Sequence, residues 1–225
     1  MEYSLTIQRY RNQFPPDSAG RALRILQRYV PEFFPARMAI GHDKWVEIPD
    51  AGAFDPSSIP QEYWIQPGRA VRVPIDSVGG SWLEIENYHE PGLAPCYLGL
   101  HWCEDQLPST NVLCDLLSVL GQSLHADRGR VTDEITLTQP EILDRLHRSN
   151  EAIPEALYWL NWFSAQAVAV LGRARFDKLA GTALVEERDG GLLVALQDTP
   201  FRGDNPEHGA RRIAAEQRFG LSQLL

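Results

Sequence analysis

The chain contains no G-x-S-x-G elbow, no G-x-x-x-x-G-K-[ST] phosphate loop, no H-E-x-x-H zinc helix and no glycine-rich dinucleotide fingerprint. Each absence removes a standard way of activating a nucleophile, cradling a phosphate, holding zinc or binding a nicotinamide. Cysteine is scarce. Cys96, Cys103 and Cys114 form no C-x-x-C pair and are odd in number, which argues against a disulfide framework and fits a reducing cytosol. No stretch approaches the roughly 18 to 20 apolar residues of a membrane span, and the opening MEYSLTIQRYRNQF lacks the apolar core of a secretion signal. The expectation is a cytoplasmic protein with no membrane partner.

The most informative deficit is of basic residues. From Val73 to Asp127 there is no Lys or Arg, but there are eight acids: Asp76, Glu84, Glu86, Glu90, Glu104, Asp105, Asp115 and Asp127. That stretch supplies eight of the formal nine negative charges, and the other 170 residues nearly balance, with 21 bases against 22 acids. Phosphate neutralisation needs the opposite sign, so nucleic acid is disfavoured as a partner. A basic protein is favoured.

What is present is organised around Leu157 to Gly172, LYWLNWFSAQAVAVLG. Leu157, Tyr158, Trp159, Leu160 and Trp162 have strand composition. Ser164 reads as the N-cap of a short helix that Gly172 stops, apolar on nearly every side. Trp159 and Trp162 are expected to be core residues rather than a ligand platform.

Along the rest of the chain, Tyr3 to Tyr10 predicts a first strand. Asp17 or Ser18 caps a helix that places Ala22, Leu23, Leu26, Tyr29 and Val30 on one side. Pro31 to Gly80 reads as an irregular, loop-rich layer with strand islands at Lys44 to Ile48 and Ala70 to Ile75. Strands are predicted at Ser81 to His89 and Cys96 to Glu104, then a helix over Thr110 to Leu124 carrying Val112, Leu113, Leu116, Leu117 and Leu120. Val131 to Leu137 reads as a strand. Thr138 or Gln139 caps a helix reaching about Ser149. Asp189-Gly190-Gly191 joins Leu184 to Arg188 and Leu192 to Gln197 as a hairpin, and Asn205-Pro206 opens a final helix that Gly220 ends. The fold class is α+β, a mixed or antiparallel sheet with flanking helices and a loop-rich N-terminal third. The 225 residues read as a single domain, with residue 130 as the place where it would divide into 1–130 and 131–225.

The most metal-like cluster is CYLGLHWCED. Strand alternation sends His101 and Cys103 to one face and Cys96 and Glu104 to the other, so the four cannot converge on one ion without a bulge. Cys103 or Cys114 would need a poised base to act as a nucleophile, and spacing supplies none. No catalytic residue, metal or cofactor is expected. In Ser81 to His89, alternation puts Leu83 and Ile85 on one face and Trp82, Glu84, Glu86 and Tyr88 on the other. Aromatics that anchor beside carboxylates that steer make a protein-binding surface. The candidate partner-binding residues are Trp82, Glu84, Glu86, Tyr88, Glu90, Glu104 and Asp105, while charge reversal at Glu151 and Glu155 is expected to be nearly silent in partner binding.

The C-terminal part carries a resemblance. The W-L-N-W-F-S segment (Trp159 to Ser164), the helix ending in Leu171-Gly172, the G-G-L-L-V-A-L-Q-D strand (Gly190 to Asp198) and D-N-P-E-H (Asp204 to His208) resemble the immunity protein 52 family of bacterial polymorphic-toxin immunity proteins. The likeness covers roughly the last 75 residues. It implies a protein that blocks a cognate toxin stoichiometrically, and it brings no catalytic residues to carry over. The toxin is expected to be a secreted effector with a basic cleft, such as a nuclease. The alternatives are a small cytosolic hydrolase or transferase using the Cys96–Glu104 region, and an effector adaptor or chaperone.

Overall fold

The first strand of the chain lies at the middle of its sheet. In the computed structural model, β1 (Glu2–Arg9) pairs on one side with residues 96–103 and on the other with residues 128–133, both antiparallel. The structure describes residues 1–10, 14–15, 17–31, 37–40, 44–47, 70–75, 81–86, 96–146, 148–149 and 153–225. In chain order the elements are β1, α1 (Ser18–Tyr29), β2 (Arg37–Ile40), β3 (Lys44–Glu47), β4 (Ala70–Ile75), β5 (Ser81–Glu86), β6 (Cys96–Cys103), α2 (Thr110–Ser123) and β7 (Arg128–Asp133). There follow α3 (Glu134–Leu137), α4 (Pro140–Leu146), β8 (Leu160–Ser164), α5 (Ala165–Leu171), α6 (Arg173–Asp177), β9 (Leu184–Arg188), β10 (Gly191–Ala195) and α7 (Pro206–Phe219).

Eight strands form one sheet in the order β4-β5-β6-β1-β7-β8-β10-β9, while β2 and β3 pair separately. Every pairing in the large sheet is antiparallel, so the fold is α+β with an antiparallel sheet and flanking helices. β7, which straddles residue 130, is bonded to β1 and to β8.

From β4 to β10 the register sets apolar residues and glycine along one face of the sheet, and β9 adds Glu186 at its edge. A row of register partners runs Val73, Leu83, Leu100, Leu5, Val131, Leu160 and Ala195, and the next runs Val71, Ile85, Leu98, Ile7, Gly129, Trp162 and Leu193. Leu113, Leu116, Leu117 and Leu120 of α2 are buried, and Leu117 lies on this face close to Gly129 and Ile7. The contact is tight: a Cβ on Gly121 would lie 2.6 Å from the Trp162 ring, so only glycine lets the helix backbone approach the indole.

The turns and caps follow from local chemistry. Ser164 accepts from the Ala167 amide, Asn205 from Glu207, and Gly220 takes the left-handed conformation that closes α7. Asp189 and Gly190 both have positive φ, 47° and 70°, as a two-residue type I′ hairpin requires.

Several expectations are corrected. Val131 to Leu137 is not one strand. Asp133 ends β7 by accepting from the Thr136 amide and hydroxyl, and that cap turns residues 134–137 into a helical turn. The next helix stops at Leu146. Asp17 does not cap α1 through its side chain, which pairs with Arg21 instead. The helix after Ser164 buries only Ala167 and Leu171 and leaves Val170 62% exposed, so it is a surface helix with one apolar stripe. β10 ends at Ala195, and β2 joins the strand islands as an element the sequence had not indicated.

Candidate functional site

The second face of the sheet is polar over β1 and β7 and apolar at Phe163, Leu192 and Val194, and it gathers most of the chemistry. One row of register partners runs Arg72, Glu84, Gly99, Thr6, Arg130 and Asn161; its neighbours run Pro74, Trp82, His101, Ser4 and Thr132, and Ala70, Glu86, Tyr97, Gln8, Arg128 and Phe163. In β1 the alternation of Tyr3, Leu5 and Ile7 with Ser4, Thr6 and Gln8 produces the two faces, and all six are buried.

Trp82, Glu84 and Glu86 therefore occupy consecutive positions of this second face. The register also places Arg72, the last base before the acidic run, directly across from Glu84 on the edge strand β4. Tyr88 and Glu90 lie outside the described residues, as does Glu151. Glu104 and Asp105 sit just past the end of β6 on a short 3-10 helix, and both are exposed. Glu104 is tethered: the Met1 ammonium lies 3.8 Å from its carboxylate and Arg202 3.5 Å. From the register position of Glu86, opposite Tyr97, to Glu104 is seven residues, about 23 Å along the strand. The candidates thus mark two ends of a strip. A partner footprint of about 800 Å², roughly 30 Å across, is wide enough to span it.

The expected opposition of Cys96 to His101 and Cys103 within CYLGLHWCED is observed, while Glu104 lies beyond the strand and is exposed. Cys96, Leu98, Leu100 and Trp102 are buried, while Tyr97, His101 and Cys103 on the other face are half-buried. Among the described residues no group of three His, Cys, Asp or Glu side chains is placed to hold a metal. Burial pushes the Cys114 thiol up to about 11.

Glu155 is a buried structural residue. It is 1% exposed and accepts from Arg128 at 2.9 Å, from Arg130, and from the Tyr158 hydroxyl at 2.9 Å. Arg128 also donates to Gln8 and to the Tyr10 hydroxyl, and its guanidinium lies 4.9 Å from the centre of the Tyr10 ring. Arg130 lies in the same way 4.8 Å from the centre of the Tyr158 ring. Next to this cluster, Arg212 donates to Glu216 and to Glu141, and Arg145 to Glu216. A carboxylate this deep, bonded to two guanidiniums and a phenol, fastens the segment around it to β7. The signal available in the sequence was the i, i+2 spacing of Arg128 and Arg130 in a strand-forming segment, which places two cations on one sheet face.

Trp159 and Trp162 are core residues, 1% and 2% exposed, and their indole N–H groups donate to the carbonyls of Gln197 and Arg188. Asn161 holds Tyr158 by both backbone groups, accepting from its amide and donating to its carbonyl, so the regular ladder starts only at Leu160. Over β8 the polar face is closed by an aromatic chain, Phe163 to Phe176 to Phe219, with ring centres 5.2 and 5.1 Å apart. An open cavity of about 360 Å³ lies elsewhere, between the start of α2 and the turn before β9, lined by Cys114, Thr182, Arg188 and Gln197 among others.

These features define an α+β protein with an eight-stranded antiparallel sheet, one face apolar and the other carrying a buried ionic cluster beside an acidic strip. The fold is shared with a T6SS protein of Pseudomonas aeruginosa, at a TM-score of 0.63 and 10% identity, over 97% of this chain and 72% of that one. No family model matches the chain, so the likeness of the last 75 residues to the immunity protein 52 family has no family match behind it. No curated protein matches either. Among the described residues no helix is long and apolar enough to cross a membrane.

Proposed function

We propose that this chain is an immunity protein of a type VI secretion setting, which neutralises a cognate toxin by forming a stoichiometric complex with it and catalyses nothing itself. The observation that carries the reading is the fold likeness, along nearly the whole chain, to a protein described as a T6SS protein. The resemblance of the last 75 residues to immunity proteins, which no family model supports, is consistent with it. The acidic run supports it, because a stretch of eight acids without a base complements a basic surface.

The partner in this reading is a cytoplasmically acting effector with a basic cleft, such as a nuclease. Carboxylates of the strip take the place of the substrate phosphates, Trp82 and Tyr88 anchor, and Glu84, Glu86, Glu90, Glu104 and Asp105 steer. The chain acts as one domain in the cytoplasm and needs no metal, nucleic acid or membrane. Cys96 is buried on the face of β6 opposite His101 and Cys103, which weighs against a hydrolase or transferase built from the Cys96–Glu104 region.

The test is co-expression with the protein encoded beside it. Rescue of growth and co-purification of a complex that saturates at a fixed ratio support the proposal. A toxic neighbour that the chain neither binds nor restrains sinks it.

A further inference from the structure

The ionic cluster on the polar face is not neutral. Arg128 is 4% exposed and Arg130 largely buried, yet among the described residues they share a single carboxylate, that of Glu155. Its Oε1 accepts from Arg130 and Tyr158 and its Oε2 from Arg128. Asp127, the neighbouring acid in the chain, uses Oδ2 on the Tyr10 amide. Two guanidinium atoms remain unserved: Arg128 Nη1 and Arg130 Nε are buried and have no hydrogen-bond partner among the described residues. Both residues line a small, partly open space together with Gln8, Glu155, Tyr158 and Asn161. It holds about 10 Å³, room for one body on the scale of a water molecule.

We propose that this space is a binding site for one halide-sized monovalent anion, held by Arg128 Nη1 and Arg130 Nε. A water molecule supplies acceptor lone pairs but leaves a surplus positive charge in the interior, which is expensive. A monovalent anion supplies both the acceptor and the missing charge. The small volume favours a halide over phosphate, sulfate or a carboxylate. The site ties β1, through Gln8, to β7 and to the segment 154–158, so the anion acts on the stability of the polar half of the sheet and not on the acidic strip.

Two measurements test it. Melting in sodium chloride and in sodium gluconate at equal ionic strength should differ, with Tm in chloride rising by about 2 to 4 °C and levelling off as one site fills. Arg130→Gln, which removes both the donor and the surplus charge, should abolish the difference whatever its own melting point. Crystals soaked in sodium bromide should show an anomalous peak within hydrogen-bonding reach of Arg128 Nη1 and Arg130 Nε, a readout that does not depend on the variant folding. Equal melting in the two salts, a chloride effect that survives in Arg130→Gln, or a cavity holding water and no bromide would each overturn the proposal.

Discussion

Glu155 Oε2 accepts from Arg128 Nη2 at 2.9 Å, with both side chains at least 95% buried. The bond joins β7 to a segment 27 residues later that carries no regular structure of its own. It follows that Glu155→Gln, and still more Glu155→Lys, should destabilise the fold. Removing one partner of a buried pair costs about 3 to 5 kcal/mol. Chemical denaturation of the Gln variant checks this, and an unchanged midpoint would mean that the pair is solvated.

The core tryptophans set a second expectation. Trp159→Ala or Trp162→Ala should lose about 3 to 5 kcal/mol. Gly191→Ala attacks the same packing from the opposite side, because its Cβ would lie 2.4 Å from the Trp162 ring and 2.5 Å from the Phe163 carbonyl oxygen. It should cost about 1 to 3 kcal/mol despite adding a single methyl. A tryptophan variant that melts like wild type but no longer binds the toxin would move that residue to the interface.

Charge reversal on the strip separates binding from folding. Glu84→Lys/Glu86→Lys should slow association with the toxin and weaken the complex by about 2 to 5 kcal/mol where a pair is desolvated. The control must avoid Glu155. Asp144, 75% exposed, and the exposed Glu207 serve, since exposed charges contribute little to stability. Titrations at two salt concentrations should show the strip variant weakened and Asp144→Lys/Glu207→Lys near wild type. Equal affinities would take the strip out of the interface.

Alkali should destabilise the protein in a defined window. Burial raises the Cys114 thiol from 9.0 to about 11, so the folded state holds its proton after the unfolded chain has released it. That stabilisation is complete below about pH 9 and is lost as pH rises toward 11, by at most about 2 to 3 kcal/mol. Burial raises Tyr3 and Tyr158 in the same direction, adding losses from about pH 10 upward. Stability measured from pH 8 to 11 should fall, and Cys114→Ala should flatten the first part of the fall. In thiol labelling at pH 8, the half-buried Cys103 should react well before Cys114.

The local grammar of the chain was readable. Ser164, Asp189-Gly190, Asn205-Pro206 and Gly220 each satisfy backbone needs within a few residues, so the sequence alone locates them. The α2 stripe and the opposed faces of β6 were readable for the same reason, since periodicity is local. The ionic cluster was not. Arg128 meets Gln8 across 120 residues and Glu155 across 27, and a glutamate in a loop-like segment looks the same in sequence whether or not two guanidiniums close over it. The partner of Glu84 at register level, Arg72, was hidden by counting charge along the chain when the sheet pairs it across strands.

The central position of β1 has a consequence in time. Its two neighbours, Cys96–Cys103 and Arg128–Asp133, are translated long after it. At about 5 to 20 residues per second, the strand waits roughly 6 to 26 s before the second neighbour exists. Through that interval its buried apolar residues Leu5 and Ile7 and a full row of unpaired amides stay available to any other edge. The growing chain is therefore exposed to mispairing at β1 until both neighbours arrive, and substitutions in β1 should reduce the yield of folded protein more than their effect on the finished fold accounts for.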